Sequence, residues 1–132
     1  MRTSVLDSYA ILAFLFQEDA YETVTDLLNK ALAADQNVLI SAPNWAEVRY
    51  QVERKIGADR WNEIRLKLLG LPMEIVPVDQ ELAELAGHIK ATRKMSLADC
   101  FAAALAKQRK AELYTGDLEF RAVESEVKIV WL

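Results

Sequence analysis

Apolar residues fall in short runs that alternate with longer stretches of three- and four-residue spacing, a pattern that predicts strands and helices in turn. Residues 3–6 read as a first strand, followed by helices over 8–16 and 21–34. In the second of these, Val24, Leu27, Leu28, Ala31 and Leu32 share one face. Residues 37–41 form a second strand, after which Pro43, tolerated in a first helical turn, opens a helix to about residue 55 that Gly57 ends. The segment 59–69 is a further amphipathic helix, with Trp61, Ile64 and Leu68 inward and Leu69 at the margin of that face. Gly70 and Pro72 close it. A third strand over 73–78 leads to Asp79, the expected N-cap of a helix over 80–92, and Ser96 caps an Ala-rich helix over 97–110. Strands over 113–115 and 127–132 complete the series. Such alternation is that of an α/β domain with a mostly parallel sheet.

At 132 residues the chain fits one domain over 1–132, and no repeat, linker or low-complexity stretch divides it. Hydrophobic residues make up 52% and charged residues 27%, enough apolar side chain for a core without a staple. One cysteine, Cys100, leaves no internal disulfide, so a reducing compartment is expected. The longest early apolar run, residues 9–16, is too short to span a bilayer, and a cytoplasmic location without membrane contact follows as the expectation.

The net charge of −4 is unevenly spread. Residues 1–48 hold seven acids against Arg2 and Lys30, whereas 49–67 hold six bases against three acids and 88–110 hold six bases against Asp99 alone. An acidic total argues against a non-specific nucleic-acid coat protein, yet two basic stretches stand among the acids.

In open parallel sheets, ligands bind beyond the carboxyl ends of the strands. Four acids are predicted at that edge: Asp7 after the first strand, Glu47 one helical turn past the second, Asp99 in the first turn of the helix before the fourth, and Asp117 after the fourth. Each alone also fits an ordinary structural role. Asp7 can cap a helix, Ser96-x-x-Asp99 resembles a capping box, Asp117 follows a glycine as turn residues do, and Glu47 can be a solvated helix position. Together they would repel one another unless cations neutralised them. An all-oxygen set suits Mg²⁺ or Mn²⁺ rather than zinc, and the single imidazole, His88, reads as structural. Cations held in this way act on phosphate oxygens.

Other chemistries lack their residues. There is no Gly-x-Ser-x-Gly, and Cys100 in an apolar helix reads as a small core residue. With glycine only at 57, 70, 87 and 116, neither a P-loop nor a dinucleotide fingerprint is present. Trp45, Trp61 and Trp131 read as core or interface anchors rather than base-stacking platforms. A phospho-acceptor domain of receiver type needs adjacent acids after its first strand, and Asp7 is followed by Ser8.

Four segments in order, Val5-Leu6-Asp7-Ser8-Tyr9-Ala10, Asn44-Trp45-Ala46-Glu47-Val48, the run from Met95 to Ala106 around Ser96-Leu97-Ala98-Asp99, and Thr115-Gly116-Asp117-Leu118-Glu119-Phe120, resemble a PIN domain, specifically the small VapC-type toxin ribonucleases of toxin–antitoxin pairs. The resemblance spans nearly the whole chain. It implies a three-layer α/β/α fold with about five strands and a Mg²⁺- or Mn²⁺-dependent endoribonuclease whose catalytic and metal-binding residues are Asp7, Glu47, Asp99 and Asp117. Ser8 and Thr115 match supporting hydroxyl positions, and Glu119 matches a position where a further acid is common. An RNA substrate, a cognate antitoxin and a homodimer are the implied partners. A nuclease acting on DNA or structured nucleic acid is the alternative, as is a PIN-like module that binds without catalysis. An acidic pocket repels phosphates, so flanking bases are needed to hold a strand; Arg49 and Arg54 in one basic stretch, and Arg93 and Lys94 in the other, are the candidates.

Overall fold

The computed structural model describes residues 1–132. The strands are short, and the central ones over residues 4–6 and 38–41 are buried on both faces, the condition under which all-parallel sheets are stable. They are β1 (Ser4–Leu6), β2 (Val38–Ser41), β3 (Met73–Val76), β4 (Glu112–Thr115) and β5 (Ile129–Trp131). The sheet has the order β3-β2-β1-β4-β5 and every pairing is parallel, rather than most of them. Val5 of β1 stands opposite Leu39 of β2 and Leu113 of β4. The chain builds from β1 toward β3 on one side, then returns to place β4 and β5 on the other, so the strand order reverses between β1 and β4.

Six α-helices flank the sheet: α1 (Ser8–Leu15), α2 (Tyr21–Ala33), α3 (Ala42–Ile56), α4 (Trp61–Leu69), α5 (Gln80–Thr92) and α6 (Leu97–Arg109). Alternate strand residues face opposite layers. Val5, Leu39 and Leu113 pack with Leu82, Ala86 and Ile89 of α5 and the Ala102–Ala106 run of α6. Leu6, Val38 and Ile40 pack instead with residues of α1, α2, α3 and α4, including Ile11, Leu28, Val52 and Leu68. Two apolar layers on one sheet make the three-layer α/β/α arrangement that the resemblance implies. Small side chains from Ala102 to Ala104 are fully buried, which lets α6 pack close to the sheet.

Side chains close the helix starts as the sequence predicts, with Asp79 accepting the Leu82 N–H at 2.8 Å and Ser96 Oγ accepting the Asp99 N–H at 3.3 Å. Element bounds move by a few residues. β3 stops at Val76 because Pro77, next in the chain, lacks the N–H that would continue the ladder. Residues 118–123, assigned to no element by their periodicity, form a 3-10 turn whose Phe120 and Val123 are buried against the α6 layer. Leu32, expected inward, is 69% exposed in the last turn of α2, and Leu69, at the margin of its face, is 42% exposed at the end of α4.

Candidate metal centre

β1 ends at Leu6, and the chain passes directly into α1 with Asp7 as its N-cap. Asp7 Oδ1 accepts the Ala10 N–H at 2.9 Å, while Oδ2 accepts the Thr115 hydroxyl at 2.5 Å from the end of β4. Capping and site placement are therefore one arrangement, and Asp7 is 1% exposed. Glu47, on the second turn of α3, takes the Ser8 hydroxyl on Oε1 at 2.5 Å and the Tyr50 hydroxyl on Oε2 at 3.1 Å. Asp117 caps the 3-10 turn after β4 through the Glu119 N–H at 2.9 Å, and its own N–H donates to Thr115 Oγ1 at 2.9 Å. Thr115 thus bridges Asp7 and Asp117 across the β1–β4 switch.

Asp99 lies in the first turn of α6, 5% exposed. In a complete capping box its carboxylate would reach back to the Ser96 N–H. Here Glu119 Oε1 accepts that N–H at 3.0 Å. The Asp99 carboxylate is left to the cluster: one carboxylate oxygen each of Asp99, Asp117 and Glu119 lie within 4.8 Å of one another.

Burial pushes Asp7 up to about 7; the Thr115 and Ala10 hydrogen bonds oppose the rise, and the charges of Asp117 and Glu47 add to it. Asp99 is also raised to about 7, by burial first and the charge of Asp117 next, with Ser96 opposing and Asp7 and Glu119 adding. Burial and the Glu47 carboxylate raise the Tyr50 phenol. Groups that each hinder the others' ionisation belong to one electrostatic unit, and a divalent cation in their midst would reverse the sign of that interaction. The donor set is oxygen throughout, which fits Mg²⁺ or Mn²⁺.

All four predicted acids converge, with Asp99 and Asp117 in the tight triplet and Asp7 and Glu47 beside it. Glu119, expected only as an auxiliary acid, completes that triplet. Ser8 and Thr115 support Glu47 and Asp7 respectively. The bases differ from one another. Arg49 pairs with Glu53 at 2.6 Å, and the Arg54 guanidinium stacks 4.7 Å from the centre of the Tyr50 ring, whose hydroxyl reaches Glu47. The Arg93 guanidinium is spent on Glu126 at 2.5 Å, the Ala122 carbonyl at 3.2 Å and the Thr92 hydroxyl. Lys94 is exposed and forms no ion pair.

Two residues of the site have a role that the sequence does not assign. Asn44 is fully buried and its Nδ2 donates to the Ala98 carbonyl at 3.3 Å, tying the start of α3 to the residue before Asp99. An asparagine near a helix start reads as a cap or a solvated group, which hides this role. Tyr50 stands three residues after Glu47, a spacing that places both on one helix face and was the available signal.

No curated protein matches the sequence. The solved structure of DNA-bound VapBC from Salmonella typhimurium has a chain similar to this one with a TM-score of 0.79 at 19% identity, covering 98% of each chain. A chain of VapBC2 from Rickettsia felis, bound to a DNA fragment from their promoter, gives 0.77 at 16% identity and the same coverage. VapC20 of Mycobacterium tuberculosis, described as a Sarcin-Ricin loop cleaving toxin, gives 0.71 at 17% identity over 92% of this chain and 95% of that one. These likenesses extend to the fold. Residues 4–126, nearly the whole chain, match the sequence profile of the PIN domain, and the chain belongs to the PIN domain family.

Proposed function

We propose that this chain is a Mg²⁺- or Mn²⁺-dependent endoribonuclease and the toxin of a toxin–antitoxin pair. The carrying observation is the convergence of carboxylates from the ends of β1 and β4, the second turn of α3 and the first turn of α6 on the switch point of a parallel sheet, with Asp99, Asp117 and Glu119 within 4.8 Å. The fold it shares with VapC20 supports RNA as the substrate, and the VapBC complexes support a cognate antitoxin as partner. A homodimer is part of the same reading.

In this reading Asp7, Glu47, Asp99 and Asp117 hold the cation, and Glu119, within 4.8 Å of Asp99 and Asp117, is added to them. A bound divalent ion supplies charge for the phosphate oxygens and a more acidic water. Thr115 fixes the Asp7 carboxylate, Ser8 and Tyr50 fix Glu47, and Asn44 holds the α6 start so that Asp99 faces inward. A carboxylate beside the cation would accept the proton of the attacking water.

Cleavage of a single-stranded RNA pool in Mg²⁺ or Mn²⁺ tests the proposal, with DNA of the same sequences as the comparison. Cleavage of RNA that EDTA abolishes, and that Asp99→Asn removes while the fold persists, is the expected result. Preferential cleavage of DNA would transfer the activity to the other nucleic acid. A purified protein that cleaves neither would leave a PIN fold used for binding alone.

A further inference from the structure

A depression of about 560 Å³ opens beside the acidic cluster, bounded by Gly116, Leu118, Arg121, Glu124, Trp131 and Leu132. It shares a wall with the site. Gly116 lies between Thr115 and Asp117, Thr115 stands opposite Trp131 in the β4–β5 register, and the Leu132 N–H donates to the Thr115 carbonyl at 2.9 Å. Arg121 lies on the 3-10 turn that Asp117 caps.

Its chemistry differs from that of the other tryptophan sites. Trp61 is buried and Trp45 packs on it at 5.4 Å between ring centres, both as core anchors. Trp131 is 38% exposed on the edge strand β5, and Leu118 beside it is 61% exposed. Arg2, Arg49, Arg60 and Arg93 are each paired with a glutamate, whereas Arg121, like Arg54, Arg65 and Arg109, forms neither an ion pair nor a side-chain hydrogen bond, and it is the one of these that borders the depression. A flat indole, a free guanidinium and the carboxylate of Glu124 match the three faces of a nucleotide: a base that stacks, a phosphate that needs a cation, and amino or hydroxyl groups that donate. A cation here also offsets the repulsion that phosphates meet at the acids.

We propose that this depression binds one nucleotide of a single-stranded RNA next to the phosphate cut at the acidic cluster, with its base on Trp131 and its phosphate at Arg121. The assignment rests on the ribonuclease reading above and locates the strand on the β5 side of the site. A partner protein covering Trp131 is the competing occupant, and the free arginine continuous with a phosphate-cleaving site favours RNA.

Cleavage kinetics in Mg²⁺ with a fluorescent single-stranded RNA pool test it, using Trp131→Ala, Trp131→Phe and Arg121→Ala. Loss of a stacked base weakens binding by about tenfold. Trp131→Ala should therefore raise KM about tenfold with kcat within about twofold, and Trp131→Phe should restore most of the loss. Arg121→Ala should raise KM and flatten the salt dependence of kcat/KM by about 0.7 in logarithmic slope, the value for one phosphate contact on a single strand. Arg121 is exposed, so its variant remains informative if Trp131→Ala unfolds. Unchanged KM and salt slope in a protein that cleaves RNA would overturn the subsite and leave the nuclease standing. The same kinetics with a changed sedimentation coefficient in Trp131→Ala would make the patch a protein interface and overturn it too. A wild-type protein that cleaves no RNA would remove the nuclease reading and the subsite with it.

Discussion

Glu119 accepts the backbone N–H of Ser96 at 3.0 Å, joining the turn after β4 to the start of α6. It fills the reciprocal place in the Ser96 cap that Asp99 would otherwise hold, and it does so while one of its oxygens lies in the triplet with Asp99 and Asp117. One carboxylate thus serves a helix cap and the acidic cluster. Glu119→Gln keeps the acceptor and removes the charge, whereas Glu119→Ala removes both. The alanine variant should lose about 1 kcal/mol in EDTA and the glutamine variant much less, with both reducing the stabilisation that Mg²⁺ confers. Thermal melts with and without metal measure the two effects separately. Equal loss in EDTA from both variants would place the role in charge alone.

Stability of the metal-free protein should fall as pH rises from about 4 to about 7. Asp7 and Asp99 hold protons in the folded state up to about 7 and release them near 4 when unfolded, so the native state binds more protons through that window. Glu126 has the opposite sign, lowered by its bonds to Arg93 and then Lys107, but its effect lies below the ordinary glutamate value and outside the window. Melts in EDTA between pH 5 and 8 should show the decline. Millimolar Mg²⁺ should reduce it, because a bound cation favours the ionised carboxylates.

Gly116 is required by a neighbour rather than by its backbone angles. A Cβ built there would lie 2.3 Å from Tyr9 Cε1 and 2.7 Å from its hydroxyl. Tyr9 is 45% exposed, so its ring can swing aside at modest cost. Gly116→Ala should destabilise by about 1 kcal/mol, and most of that loss should vanish in the Tyr9→Ala background, a coupling that a double-mutant cycle reads directly. An unchanged loss in that background would locate the strain in the backbone instead.

Arg93 and Lys94 are neighbours in sequence with different duties. Arg93 fastens the end of α5 to residues 122 and 126, while Lys94 is exposed without an ion-pair partner. Arg93→Ala should lower stability by roughly 1 kcal/mol through lost charge-assisted bonds, and Lys94→Ala by almost nothing. Urea titrations compare the two. RNA affinity in the Lys94 variant then tests for a phosphate contact free of folding effects, which a change of both residues together would obscure.

Local chemistry made most of the fold and the acid set legible. Asp79 and Ser96 announce their helices because a short polar side chain beside an apolar period has few other uses, and the alternation of runs carries the parallel sheet. Four acids at strand ends could be placed on one edge because that edge is common to every parallel α/β sheet. What stayed hidden depends on contacts distant in sequence. The Glu119 bond to Ser96 spans 23 residues, and the Asn44 bond to Ala98 spans 54. Neither has a local signature, and the exposure of Trp131 follows from β5 being an edge strand, a matter of strand order.

The bridge from Thr115 to Asp7 joins positions 108 residues apart, on two strands that pair at the centre of the sheet. Synthesis proceeds from the N-terminus, so β1 must wait for β4 before its central pairing can close. Until then Asp7 lacks its Thr115 partner, and Asp117 and Glu119 do not yet exist. An incomplete chain therefore holds only a scattered part of the acid set, and the cluster can assemble only once Glu119 has been made. A chain cut anywhere before residue 115 lacks Thr115, Asp117 and Glu119, so it loses the cluster as a whole rather than one acid of it.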